Sequence, residues 1–215
     1  MSHHDDFAFD PVKGLPEHLP HGETMLWQGS PRWQTLAINA FHIRKVAIYF
    51  ACLAAAQSVF RFADGAAAGD ALKPFIWYSI LACLSIAILT GLAWLSARTT
   101  IYTITTKRVV MRIGMALPLT LNLPYSKIES ADLRLFANGT GDLPLRLMKE
   151  DRVAWAVLWP HARPFRFSHP EPMLRAVPDA EHVGACLASA LQGVAQNPIK
   201  SPKSAVRFAP HIVTA

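Results

Sequence analysis

The chain of 215 residues is 52% hydrophobic and 17% charged, with a mean hydropathy of +0.22 and a net charge of +6. Ordinary soluble domains carry about 25% charged residues, so this deficit points to segments that face lipid, and positive charge beside apolar segments favours anionic headgroups over nucleic acid. Three cysteines without close spacing, Cys52, Cys83 and Cys186, exclude a disulfide framework and a zinc ribbon.

Residues 1–34 form a polar N-terminal segment rich in proline, and the first ten lack the basic and apolar regions of a cleaved signal peptide. Within it, Glu23-Thr-Met-Leu-Trp-Gln-Gly-Ser-Pro31 fits either a short strand or a foot at the membrane interface, where the indoles of Trp27 and Trp33 keep their N–H wet.

Residues 35–98 are expected to form a transmembrane hairpin with spans at about 46–63 and 74–97. The second, PFIWYSILACLSIAILTGLAWLSA, has no ionisable side chain from Asp, Glu, Lys, Arg or His. At ~1.5 Å rise per residue it covers the roughly 30 Å hydrocarbon core. Trp77 and Trp94 mark its ends as interfacial aromatics, and Lys73 and Arg98 bracket it. The first span begins as VAIYFACLAAAQSVF and reaches a workable length if Arg44, Lys45 or Arg61 snorkel. Ala51, Ala54 and Ala55, with Gly91 opposite, permit close helix packing, within the hairpin, with partner helices or in a homodimer. Gln57 and Ser58 offer hydrogen bonds across that contact. More Lys and Arg flank the hairpin than lie in its 61–73 connection, so the positive-inside rule places both termini in the cytoplasm.

From residue 99 the period changes. TTIYTITT is β-branched and aromatic. Further strands are expected at 109–113, 117–123, 131–135, 143–147, 153–159 and 165–167, from alternation of apolar and polar positions. Asn138-Gly139 signals a hairpin turn, and Pro144 argues that its strand is an edge. Pro178 and Asp179 then open an amphipathic helix with an apolar stripe at Val183, Cys186, Leu187, Ala190, Leu191 and Val194. Residues 196–215 contain Lys200, Lys203 and Arg207 without an acid and read as a basic, disordered tail.

About seven short strands capped by one amphipathic C-terminal helix is the order of a β-rich pleckstrin-homology (PH)-like barrel. The wording Tyr102-Thr-Ile-Thr-Thr-Lys-Arg-Val-Val, then Gly114, Leu123-Pro-Tyr-Ser-Lys-Ile128 and Gly141-Asp-Leu resembles the bacterial PH domain over residues 99–195. With the opening Phe7-Ala-Phe-Asp-Pro11 and Leu26-Trp-Gln-Gly-Ser-Pro-Arg-Trp33, the whole chain is similar to the PuhB-type photosynthetic complex assembly proteins of purple bacteria. That resemblance implies a multi-pass factor of the inner, intracytoplasmic membrane. It would assist assembly of the reaction centre and light-harvesting 1 complex, with their polypeptides as partners. It supplies no catalytic or ligand residues and no cofactor.

The residues themselves carry no phosphate loop, serine elbow or zinc-protease motif, so an enzyme is not expected. His18 and His21 share a ligand-like spacing without further donors nearby. His161 and His169, in a proline-rich connection, read as surface residues. His42, beside Arg44 and Lys45, has the chemistry of a pigment-magnesium ligand, although an interfacial polar residue is the simpler reading. The alternative to an assembly factor is a lipid- or protein-binding membrane PH-like module unrelated to photosynthesis.

Overall fold

The computed structural model describes residues 14–15, 18–115, 118–148, 154–164, 166 and 169–196. Element by element, a short strand β1 (Met25–Gly29) leads into a short helix α1 (Trp33–Asn39). Two long helices follow, α2 (Ile43–Ala63) and α3 (Ala68–Thr99). These pack against each other as an antiparallel pair, with a turn of only four residues between them. Both are long and apolar enough to cross a membrane. Of the most apolar 18-residue window, 6% in α2 and 17% in α3 is buried inside the protein. The core helix of a soluble domain shows the opposite. Ile48, Phe60, Ile76, Trp77 and Leu84 all stand more than half exposed, a pattern that costs free energy in water and none in lipid.

Two four-stranded sheets make up the rest. The first is a meander, β1, β2 (Ile101–Thr105), β3 (Arg108–Ile113) and β4 (Leu119–Pro124), each antiparallel to the next. Its register places Gly29 opposite Tyr102, Ile104 opposite Val109, and Val109 opposite Leu123. A 3-10 turn at Tyr125–Lys127 passes the chain to the second sheet. There β7 (Gly141–Leu147) is flanked by β5 (Ile128–Ala131) and β6 (Arg134–Leu135), and it also pairs with β8 (Met173–Val177). No ladder among the described residues joins the sheets into the expected closed barrel; the module is PH-like with two separate sheets.

Helix α5 (Ala180–Gln196) lies across this pair. Its Val183 and Leu187 are fully buried, with Cys186, Ala190 and Leu191 partly so, against Ile104, Val109, Met111, Leu123, Leu143 and Leu145. Each fully buried side chain of this size contributes about 1.5–3 kcal/mol. A second, smaller core is formed by Leu36, Ala37 and Phe41 with Ala93, Ala97 and Ala176. It ties α1 and the end of α3 to β8.

Four expectations need correction. Residues 155–158 are not a strand but a one-turn helix, α4 (Trp155–Leu158); the apolar run is too short for periodicity to separate the two. The 143–147 strand is not an edge, because β7 is paired on both sides. Pro144 is tolerated because its neighbours carry the hydrogen bonds: Leu145 N–H donates to Pro172 O (2.8 Å) and Asp132 N–H to Pro144 O (3.1 Å). Ser58 makes no cross-helix hydrogen bond, since its buried hydroxyl has no partner. His161 is not on the surface but 1% exposed. Of the expected strand at 165–167 only Arg166 is described, outside any strand, and residues 7–11 and the tail beyond Gln196 lie outside the described residues.

Residues 23–29 of the N-terminal segment join the module. Glu23, 8% exposed, accepts from Thr105 Oγ1 (2.7 Å) and Arg108 Nε (2.9 Å), and β1 extends the first sheet. The Asn138-Gly139 turn forms as its sequence predicts, with Gly139 at φ +75° and Phe136 N–H donating to Thr140 O (2.8 Å).

Candidate functional site at the junction of helices and sheets

The last turn of α3 enters the sheet module directly. Only Thr100 separates α3 from β2, and it is fully buried. Around it a polar cluster closes over His161. Tyr102 Oη lies 2.6 Å from His161 Nδ1. Thr100 Oγ1 lies 3.1 Å, and Ser96 Oγ 3.4 Å, from Nε2. Tyr102 Oη also accepts the Arg175 backbone N–H (3.1 Å). The hydroxyl's own proton then goes to Nδ1, which leaves the imidazole proton on Nε2, donated to Thr100. Every polar atom of the ring is thereby satisfied in the interior.

Burial dominates the titration here. It pushes His161 down to about 3, with the nearby Arg175 charge adding in the same direction. The ring is therefore neutral at physiological pH. Burial also raises the Tyr102 hydroxyl, which stays protonated as the network requires.

Arg175 is itself buried and anchors the neighbouring loop by donating from its guanidinium to Pro160 O (2.9 Å). Asp142 Oδ1 accepts the Ala176 N–H (2.9 Å) and is raised by burial, partly offset by that hydrogen bond and by Arg175. Ala176 takes a left-handed φ of +50° and its carbonyl receives the Arg32 N–H (2.8 Å), which fixes the start of α1. An alanine there costs roughly 1–2 kcal/mol, sustained by these two bonds and by its methyl packing in the smaller core. On the other side of the junction, Asn138 Nδ2 donates to Thr35 Oγ1 (3.0 Å) and Phe41 meets Trp159 edge to face at 5.5 Å. Hairpin and module are thus joined by packing and by buried hydrogen bonds from α1, α3, β2, β8 and the 159–162 loop.

The residues singled out from sequence distribute as follows. Arg44 and Lys45 are exposed at the start of α2, and Arg98 is exposed at the end of α3, where its guanidinium sits 4.8 Å over the Trp94 ring. Since the helices are antiparallel, these cations share one end of the pair, the end that carries the module. Lys73 pairs with Asp70 (2.6 Å) near the opposite end, with Trp77 exposed beside it. Ala54 is buried at 2% in the contact between α2 and α3, whereas Ala51, Ala55 and Gly91 are exposed. His42 precedes α2 with φ +56°; partial burial, then Lys45 and Arg175, lower its pKa. No group of three metal-capable side chains gathers around it, or elsewhere among the described residues.

The junction cluster was missed in the sequence. Its members are spread from Ser96 to Ala176, and only a histidine between prolines, His161-Ala-Arg-Pro, hinted that a tight connection packs against something.

Comparison with known proteins places these features. The family model described as "Bacterial PH domain" matches residues 43–190, which takes in both long helices and the strands from β2 to β8 but not β1. A protein of Rhodobacter capsulatus, described as an uncharacterized 23.7 kDa protein in the puhA 5' region, is 36% identical over 212 residues. The alignment covers 97% of this chain and 99% of that protein. No solved structure matches.

Proposed function

The chain belongs to the bacterial PH domain family, and from that premise we propose that it is a membrane-anchored, non-enzymatic factor that assists assembly of the photosynthetic reaction centre and light-harvesting 1 complex. The observation that carries this reading is similarity along almost the whole chain to a protein named for its place beside puhA, in a photosynthesis gene region. The PuhB-type resemblance read from the opening motifs agrees with it.

In this reading α2 and α3 both cross the inner, intracytoplasmic membrane. Arg44, Lys45 and Arg98 at the module end mark the cytoplasmic side, so the PH-like module and both termini are cytoplasmic. The exposed apolar faces of α2 and α3 meet lipid and the helices of reaction-centre and antenna polypeptides. The module meets their cytoplasmic segments. Anchoring raises the local concentration of the module beside newly inserted clients. No cofactor and no chemical step is required.

The test is deletion of the gene in its phototrophic host, with reaction-centre and antenna absorbance followed through induction of photosynthetic growth. Slower or lower accumulation, restored by the full-length gene, is expected. An unchanged spectrum with an unchanged rate refutes the proposal. Alkaline carbonate extraction checks the anchor separately: the protein must stay with the membrane pellet.

A further inference from the structure

The 135–139 turn of the second sheet and the start of α5 enclose an open groove of about 670 Å³, a volume in the range of binding clefts. Leu135 and Phe136 line it from the strand side and Ala185 from the helix. Leu135 is 50% exposed, and Leu133 beside it 42%. Leu133 leans on the α5 backbone, since a Cβ added at Gly184 would stand 3.0 Å from Leu133 Cδ2. Apolar side chains left open on an outer strand favour a partner that covers them.

The rim is acidic. Asp179 and Glu181 line the groove from the beginning of α5, and both are exposed. Neither makes an ion pair among the described residues. Arg134, on the strand side, stands 5.4 Å over the Phe136 ring and acts on the buried Asp142. Two unanswered carboxylates on a chain of net charge +6 set this surface apart. Their backbone is held in place. Ala180 N–H donates to Gly139 O (3.3 Å), and Val183 N–H donates to Asp179 O (3.1 Å).

The groove also lies beside the hairpin. Asn138 Nδ2 donates to Thr35 Oγ1 (3.0 Å) and Thr140 Oγ1 lies 3.3 Å from the same atom, so the turn rests on α1. Leu36 and Ala37 of α1 pack in turn on Ala93 and Ala97, in the last turns of α3. One helix diameter, about 10 Å, therefore separates the groove's turn from the end of α3. A membrane protein lying along α2 and α3 brings the chain just beyond its own span to this height. Cytoplasmic flanks of that kind are rich in Lys and Arg, next to the apolar side chains that end the span.

We propose that the groove between the 135–139 turn and α5 binds the basic, apolar flank of a transmembrane helix in a partner membrane protein. The partner class rests on the assembly reading above; the preference for a basic, apolar segment does not.

The experiment uses the full chain in a neutral detergent and a fluorescent dodecapeptide of alternating arginine and leucine, read by anisotropy. Two control peptides carry glutamate in place of arginine or serine in place of leucine. D179N/E181Q removes the rim charge, and asparagine suits the left-handed φ of +48° at position 179, so the fold is kept. A185W fills the groove without a change of charge. D64N/E129Q removes equal charge elsewhere.

Wild type is expected to bind the arginine–leucine peptide and neither control. D179N/E181Q should weaken binding about fivefold or more, with the larger effect at low salt. A185W should weaken it at least as much, and D64N/E129Q should leave it unchanged. The proposal is overturned if a control peptide binds equally well, or if neither groove variant differs from wild type. It is also overturned if K200Q/K203Q/R207Q binds the peptide more tightly than wild type and A185W abolishes that gain, because the chain's own tail is then the occupant. In the phototrophic host, A185W made at wild-type level should slow reaction-centre accumulation as deletion does. If deletion slows accumulation and A185W does not, the groove takes no client, and the proposal falls while the assembly reading stands. If deletion has no effect and the peptide results hold, the assembly reading fails and the groove stands as a site for basic, apolar segments.

Discussion

Acidification should loosen the junction between the helices and the sheets, through one side chain. His161 sits fully buried with its pKa pushed down to about 3, chiefly by loss of solvent and next by Arg175. In the unfolded chain it titrates near 6.5. Between these values the unfolded state holds a proton that the folded state refuses, so stability falls as pH falls. The contribution is fully present above about pH 6.5. Integrated from pH 7 to pH 5 it amounts to a loss of about 2 kcal/mol, and to about 4 kcal/mol by pH 3. For a chain of this size, 2 kcal/mol lowers the melting temperature by roughly 4–8 °C. The assay is a thermal melt of the detergent-solubilised full chain at pH 5, 6 and 7, for wild type and His161→Asn. The variant starts less stable, but its amide does not titrate, so its melting temperature should vary less over this range. Asp142, raised by burial, gains protons on folding and acts with the opposite sign; it is present in both proteins and drops out of the comparison. Parallel loss of melting temperature in the two proteins would refute the assignment of a buried neutral imidazole.

Three further substitutions probe the packing that holds this arrangement. Tyr102→Phe removes both the donor to His161 Nδ1 and the acceptor of the Arg175 N–H. It should cost about 1–3 kcal/mol for each buried group left unpaired, read by denaturant titration; a loss below 1 kcal/mol contradicts the shared hydroxyl. Gly141→Ala places a Cβ 2.6 Å from Ala180 Cβ and 2.7 Å from Arg134 O. The β6–β7 ladder must shift, and destabilisation of roughly 1–3 kcal/mol or more is expected in the same titration. Ala54→Leu adds a bulky side chain at the buried position of α2 and should lower the melting temperature of the full chain in detergent. Ala55→Leu, on the exposed side, should leave it unchanged; equal effects would mean that the helices pack through another face.

The long helices and the first sheet were legible because each obeys a single dominant rule. An uncharged stretch as long as 74–97 has few alternatives to lipid, and Leu119, Leu121 and Leu123 alternate as a half-exposed strand must. What escaped was structure buried on every side. Strand β8, Met173–Val177, is buried at all five positions with an arginine in its centre and prolines at either end. Alternation cannot reveal such a strand, and Arg175 disguises it further. His161 was hidden in the same way. A histidine between prolines reads as loop surface until Tyr102, Thr100 and Ser96 arrive from another part of the chain to satisfy it.

The junction decides what kind of anchor the hairpin is. A module on a flexible tether gains local concentration but samples every orientation its linker allows. Here the linker is one residue long and that residue, Thr100, is buried and hydrogen-bonded both to the helix it leaves, through Ser96 O (3.1 Å), and to His161. The smaller core of Leu36, Phe41, Ala93, Ala97 and Ala176 adds a second attachment on the opposite strand. The module therefore cannot turn about the end of α3 without unpairing buried polar groups, at a cost of several kcal/mol. Whatever touches the exposed faces of α2 and α3 meets the sheets at one fixed height and angle. Under the proposed assembly role, that converts a tether into a template, and the geometry offered to a client would rest on the buried network around His161 rather than on any exposed residue.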